Sequence, residues 1–223
     1  AGNGGGGSGG GGRGDGGGGR LSYTRGEVAA EAKTSIALAL PVMLSFLLQM
    51  SIGVVNILTV GHLGEVALGG AALGNMWINC TAMSLAIGAL TALDTLSAQA
   101  YGAGQPKLLG VYLQRSLLMC FLFSCVVVVV WSFTEEALLA LGQDAAVAAA
   151  AESYVMAYAP GFFPALVFES LKRYLQAQGD TKSPMYVMGV VALSHPLLSV
   201  LLVGPVGLGF VGAPLAMAIS MWL

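Results

Sequence analysis

The sequence predicts an all-α membrane protein, a polytopic bundle of six transmembrane helices. Hydrophobic residues make up 56% of the 223 residues, charged residues only 9%, and the mean hydropathy is +0.80. A water-soluble domain with one core could not bury so many apolar side chains. Several apolar runs also reach the length of roughly 20 residues that a helix needs to cross a bilayer.

Six spans are predicted from these runs. They cover residues 36–60, 66–92, 109–131, 147–171 and 186–202, with a sixth from Val206 to Leu223. Because Leu223 ends the chain within the sixth run, we expect the last helix to be truncated. Residues 1–30 begin with a glycine-rich stretch and predict a disordered cytoplasmic tail, while residues 31–223 form the helical domain.

The basic residues predict the orientation of the spans. All nine precede span one, adjoin the link between spans two and three, or lie between spans four and five: Arg13, Arg20, Arg25, Lys33, Lys107, Arg115, Lys172, Arg173 and Lys182. The opposite loops carry Glu65, Glu135, Glu136 and Asp144. Since short cytoplasmic loops hold the excess of basic residues, the N-terminus is predicted to be cytoplasmic.

Composition disfavours several other classes of protein. The net charge is −2 and the basic residues form no stripe, so no nucleic-acid partner is expected. Cys80, Cys120 and Cys125 lie within apolar runs and lack the spacing of metal ligands, so we expect no metal site. The chain also lacks the loop that binds nucleotide phosphates, and no cofactor is predicted.

Prolines interrupt two of the predicted spans. Pro160 and Pro164, with Gly161 between them, lie in span four, and Pro196 lies in span five. Each proline removes a backbone donor, so we expect bends at these positions. Freed carbonyl groups are tolerated in lipid where protein or water satisfies them, which favours a protein-lined cavity. A structural kink without a cavity is the alternative.

Polar residues on three spans predict a surface that faces inward. The residues share helix faces at spacings of three or four: Ser45, Gln49, Ile52, Asn56 and Thr59 on span one, Asn75 and Asn79 on span two, His195 and Ser199 on span five. Such a surface could line a hydrated path for a polar or cationic solute. It could equally form hydrogen bonds between helices. His195 is a candidate proton carrier, or a histidine bonded to a neighbouring helix.

One charged group lies at the end of span four. Glu169 precedes Lys172 and Arg173 by three and four residues, a spacing that predicts pairing along the helix. We expect this pair to be solvated at the membrane interface.

Five motifs, in order along the chain, suggest a family. They are Val60-Gly61-His62-Leu63-Gly64, the run from Ala92 to Ala103, Tyr112-Leu113-Gln114-Arg115-Ser116, the run from Arg173 to Gly179, and the run from Gly207 to Ala213. The second run includes Asp94, Gln99, Tyr101 and Gly102. The set resembles the multidrug and toxic compound extrusion (MATE) family, especially its plant-type eukaryotic branch. The resemblance extends from about Glu31 to Leu223.

The resemblance implies one half of a twelve-helix transporter with two lobes. Members are secondary active antiporters that export organic cations, drugs or metabolites in exchange for H⁺ or Na⁺. The implied partners are a small organic, cationic substrate, the coupling ion, the lipid bilayer and a missing second lobe, in a plasma or vacuolar membrane. We therefore predict a transport pathway with these residues: Gln49, Asn56, Asn75, Asn79 and His195. The family motif residues are Asp94, Gln99, Tyr101, Gly102, Gln114 and Arg115.

The chain departs from the family at one position, and two other hypotheses compete. Asn56 stands where bacterial members carry an acidic residue, which puts a coupling site there in doubt, and Asp94 resembles a structural or gating residue. An intramembrane hydrolase would use His195 as base for Ser84 or Ser45. The sequence has no recognisable oxyanion loop, so we predict that the chain is not an enzyme. The third hypothesis is a non-transporting membrane scaffold.

Overall fold

The computed structural model describes residues 25–223. Every regular element in this range is helical, which confirms the predicted all-α class. The helices are α1 (Arg25–Gly61), α2 (Glu65–Ile78), α3 (Ser84–Gly102), α4 (Pro106–Trp131), α5 (Thr134–Ala140), α6 (Ala145–Ala177), α7 (Lys182–Val203) and α8 (Gly212–Ser220). A π-helical turn, Asn79–Met83, joins α2 to α3, and a 3₁₀ turn, Gly209–Val211, precedes α8.

The chain divides into two compact units. The first extends to Ile36, and its described part is the N-terminal portion of α1. Ala37–Leu223 form the second, which we call the bundle. Residues 1–24 of the predicted tail lie outside the described residues, whereas residues 25–30 are helical because α1 begins at Arg25.

The predicted spans correspond to helices whose bounds differ from the prediction. Four stretches are long and apolar enough to cross a bilayer: Val28–Gly61, Glu65–Gly102, Pro106–Trp131 and Lys182–Val203. Helix α6 has 33 residues and a less apolar composition, since it carries buried charges near its end. The sixth helix begins at Gly212 instead of Val206, because a turn with positive φ at Gly207 and Gly209 precedes it.

The prolines predicted to interrupt spans lie within continuous helices. Helix α6 continues through Pro160 and Pro164, and α7 continues through Pro196. Pro164 removes the donor that would bond the carbonyl of Pro160. The indole of Trp222 donates to that carbonyl at 3.1 Å, so a side chain beyond α8 compensates for the missing bond.

Helix α6 is the centre of the bundle and packs against α2, α3, α4, α5 and α8. The rings of Trp131 and Phe162 lie 5.0 Å apart at the contact of α4 with α6. Small residues bring α2 close to α6: a Cβ atom added at Gly70 would lie 2.5 Å from the Cβ atom of Ala150. Gly161 similarly lies against Ala218, which brings α8 close to α6.

Asp180 stabilises the first turn of α7. Its carboxylate accepts hydrogen bonds from the backbone N–H groups of Lys182 and Ser183, at 3.1 and 3.0 Å, and from the Ser183 hydroxyl at 2.5 Å. These bonds favour the ionised form, and those from Ser183 contribute most to lowering the pKa of Asp180. The link between α6 and α7 is therefore a capped turn.

Candidate functional site

A cleft with a volume of about 520 Å³ lies on one face of the bundle. Its walls come from α1, α2, the π-helical turn, α3, α6 and α8. The lining residues include Phe46, Gln49, Ile57, Asn75, Asn79, Met83, Tyr158 and Met217. The cleft thus combines amide side chains with aromatic and thioether groups.

Three residues of the predicted pathway meet in this cleft. Gln49 and Asn75 are half-buried, and Asn79 is exposed. The Asn79 amide donates to the backbone carbonyl of Asn75 at 2.8 Å. The π-helical turn begins at Asn79 and was not predicted, because its five residues include no proline or glycine that would indicate a change in the helix. Turns of this kind are frequent at functional sites.

Asn56 lies behind the cleft and is buried. Its amide nitrogen donates to the Tyr154 hydroxyl at 2.6 Å and lies 3.5 Å from the Met217 sulfur. Its carbonyl oxygen has no protein partner and borders a small cavity that Asn75 also lines. Tyr154 was missed by sequence reasoning, although a tyrosine in an apolar span needs a partner for its hydroxyl.

His195 lies away from the cleft residues and is fully buried between α7 and α8. Its Nδ1 atom is 3.1 Å from the Ser220 hydroxyl, which donates to the Ala216 carbonyl at 2.7 Å. Among the side chains proposed as nucleophiles, Ser45 donates to Pro41 and Ser84 to Asn79, each to a backbone carbonyl. The pairing of His195 with Ser45 or Ser84 is therefore wrong, because α8 supplies its partner.

Four charged side chains form a cluster between α3 and the C-terminal part of α6. Arg173 is paired with Asp94 and lies 3.8 Å from a Glu169 oxygen, while Lys172 contacts Glu169 at 2.5 Å. Glu169 and Lys172 are 5% and 8% exposed. The prediction of a solvated pair is wrong, because α6 continues to Ala177 and keeps these residues inside the bundle.

The family motif residues other than Asp94 lie near the α3–α4 link. Gly102 is the last residue of α3. The side chains of four are exposed: Gln99, Tyr101, Gln114 and Arg115. Among residues 25–223, no group of three or more His, Cys, Asp or Glu side chains is placed to hold a metal ion.

This architecture defines an all-α, multi-pass membrane protein whose helix bundle carries, on one face, a largely apolar cleft with three amide side chains in its wall. Residues 41–201 match the MatE family, and the chain belongs to that family.

Relatives and solved structures agree with this assignment. Protein DETOXIFICATION 16 of Arabidopsis thaliana is 36% identical over 199 residues, which are 89% of this chain and 41% of that protein. An uncharacterized transporter of Schizosaccharomyces pombe is 38% identical over 197 residues, covering 86% of this chain and 36% of that protein. The chain therefore spans less than half the length of these relatives.

Two crystal structures share the fold. The eukaryotic MATE transporter AtDTX14 superposes with a TM-score of 0.83 at 30% identity, over 87% of this chain and 43% of that one. The Vibrio cholerae MATE transporter VcmN, in its bent form, has a TM-score of 0.79 at 21% identity, over 87% and 44% of the two chains. The chain thus corresponds to about half of the MATE fold.

Proposed function

We propose that the chain is one lobe of a membrane efflux transporter. Its activity would be the export of organic cations, drugs or metabolites in exchange for H⁺ or Na⁺. The observation that carries the proposal is the cleft that Gln49, Asn75 and Asn79 line together. Membership of the MatE family supports it.

The chemistry of the cleft suits amphiphilic solutes. Amide groups donate and accept hydrogen bonds without a fixed charge, so they accommodate several polar head groups. Phe46, Met83 and Met217 supply apolar and polarisable contacts that adapt to different shapes. A cleft lined by uncharged side chains selects solutes by their size and polarity more than by a single ion pair with the solute.

Transport would require a second lobe. In this proposal, rocking of the bundle against that lobe exposes the cleft alternately to the two sides of the membrane. Asn56 is uncharged, so it cannot itself exchange H⁺ or Na⁺ as a carboxylate does. We place the protein in a plasma or vacuolar membrane with its N-terminus and residues 1–30 in the cytoplasm. His195 remains a candidate for the proton path.

A transport assay tests the proposal. The two-lobe protein in vesicles should export ethidium when a pH or sodium gradient is imposed. Asn75→Leu should reduce the rate by about tenfold, the effect of losing a hydrogen bond worth about 1.4 kcal/mol. Gln143→Leu, in an exposed loop away from the cleft, should transport normally. The absence of efflux under both gradients would contradict the proposal.

Cysteine accessibility separates a transporter lobe from a scaffold. In a variant without native cysteines, Gln49→Cys and Asn75→Cys should react with a polar thiol reagent, and ethidium should slow the reaction. Leu122→Cys is the control, since Leu122 is 57% exposed on α4, does not line the cleft, and is expected to face lipid. If the cleft positions react no faster than residue 122, the scaffold hypothesis is favoured.

A further inference from the structure

The side-chain ammonium of Lys172 is surrounded by one carboxylate and two aromatic rings. The carboxylate of Glu169 contacts it at 2.5 Å. The rings of Phe46 and Phe168 have their centroids 5.2 and 5.7 Å from the same nitrogen. A carboxylate and aromatic faces within about 6 Å are the groups that recognise organic ammonium ions.

Glu169 faces two cations, and its two carboxylate oxygens divide them: Oε1 contacts Lys172, and Oε2 has the longer contact with Arg173. Arg173 is paired with Asp94 and lies only at the edge of Glu169, at 3.8 Å. Lys172 has no acidic contact other than Glu169 among the described residues. Four methylene groups carry its ammonium, so it can leave Glu169 by side-chain rotation alone.

The lysine site adjoins the cleft. Phe46, Gln49, Phe168 and Lys172 pack around one another and leave no room for a water molecule while the ammonium is in place. Phe46 and Gln49 also line the cleft. A ligand in the cleft therefore shares a wall with the lysine site.

We propose that Glu169, Phe46 and Phe168 form a binding site for the ammonium group of an organic cation, and that Lys172 occupies this site as a built-in competitor. The inference rests on the proposed function and adds the group that recognises the substrate's charge. When a ligand cation replaces the lysine ammonium, the Glu169 carboxylate keeps a positively charged partner. An anion would instead face the carboxylate and the electron-rich ring faces, which disfavours it.

Removing the competitor tests the site directly. In this test, phenyltrimethylammonium would be titrated by calorimetry into the purified 223-residue chain in lipid nanodiscs. Lys172→Met should bind this cation at least about tenfold more tightly than the unaltered chain, because no tethered ammonium remains to be displaced. Lys172→Arg keeps a tethered cation and should show no gain. Lys172→Met combined with Glu169→Gln should lose the gain.

Two further probes control for shape and charge sign. The neutral tert-butylbenzene, which has nearly the same shape, should bind Lys172→Met no more tightly than the unaltered chain. Benzenesulfonate should bind weakly to both. Preferential binding of benzenesulfonate to the unaltered chain would identify an anion site at Lys172 and overturn the proposal. An unchanged cation affinity in Lys172→Met would overturn it as well.

A second measurement needs no substitution and therefore does not depend on a variant that folds. Phenyltrimethylammonium should accelerate acylation of Lys172 by an amine-reactive ester at least about threefold, because it displaces the ammonium from its buried position. Mass spectrometry would report the modification, with exposed Lys107 as the internal reference. Equal rates with and without the cation would contradict the proposal. Neither measurement requires transport, so a failure here is distinguishable from failure of the efflux function.

Discussion

At Asn56, a single amide group connects three helices. The residue belongs to α1, and its nitrogen contacts Tyr154 of α6 and Met217 of α8. All the groups involved lie among apolar side chains, where an unpaired donor loses free energy. The contact therefore stabilises the position of α1 against the centre of the bundle.

We expect Asn56 and Tyr154 to be energetically coupled. Tyr154→Phe leaves the Asn56 amide without its short hydrogen bond and should lower the free energy of unfolding by about 1–3 kcal/mol. Asn56→Ala should cost a similar amount, and the double variant should cost less than the sum of the two. Unfolding in mixed micelles of detergent and SDS would measure the cycle.

Thr59 provides the matched control for this cycle. Its hydroxyl donates only to the Val55 carbonyl of its own helix, at 2.8 Å. Thr59→Val conserves shape and should change the free energy of unfolding by less than about 0.5 kcal/mol. Strict additivity of Asn56→Ala and Tyr154→Phe would show that the contact carries no coupling energy.

Residue spacing predicted the buried face of α1 but not its partners. Ser45, Ile52 and Asn56 are buried, as the spacing indicates. Tyr154 is 98 residues away in the sequence, and periodicity within one helix carries no information about such a distance. The pairing of Glu169 with Lys172 was also predictable. Its burial was not, because it depends on the helices around α6.

At the scale of the elements, close contact between α2 and α6 depends on glycine. Gly70 and Gly74 are one turn apart and both lie against α6, so the two backbones approach closely. The same small residues would allow other helices to pack here. The observed register is the one in which Ala150 faces Gly70.

Gly70→Val should separate α2 from α6. The added Cβ atom would lie 2.5 Å from that of Ala150 and 3.1 Å from its backbone carbonyl carbon, so a backbone has to shift. We expect a loss of about 2–4 kcal/mol in the free energy of unfolding. Gly88→Ala is the control, because nothing lies within 4 Å of its added Cβ atom. A loss equal to the control would mean that the helices do not need this contact.

The cap of α7 should make stability depend on pH. Because hydrogen bonds hold the pKa of Asp180 below its ordinary value of 3.8 in the folded chain, its contribution is complete above that value. The contribution is lost as the pH falls through the lower, folded pKa. The stability difference between the chain and Asp180→Ala should therefore shrink as unfolding is measured at successively lower pH. A difference that stays constant down to complete protonation would contradict the role of the carboxylate.

Apolar runs predict helices better than they predict helix ends. The spans were found because burial in lipid requires continuous apolar sequence, whatever packs around it. Helix α5 was not predicted, since its seven residues are too few to cross a membrane. The prolines of α6 predict bends, and the sequence does not indicate that the helix continues through them, because a compensating contact such as that of Trp222 comes from a distant residue.

At the scale of the whole bundle, charge differs between the two ends. One end contains the last turns of α6 and the first turns of α4 and α7. It carries Lys107, Arg173 and Lys182. The opposite end carries Glu135 and Glu152, where the Glu152 carboxylate accepts from the Glu135 backbone N–H at 2.8 Å. This asymmetry has the form expected of a protein oriented by its basic residues.

Labelling of single cysteines would test the orientation. In a variant that lacks the native cysteines, Gln105→Cys lies at the basic end and Gln143→Cys at the acidic end, and both residues are exposed in short links. Since basic ends remain in the cytoplasm, an impermeant thiol reagent should label residue 143 in intact cells that express the protein at the plasma membrane. It should label residue 105 only after permeabilisation. The reverse pattern would place the N-terminus outside, and labelling of both positions in intact cells would show that α4 does not cross the membrane.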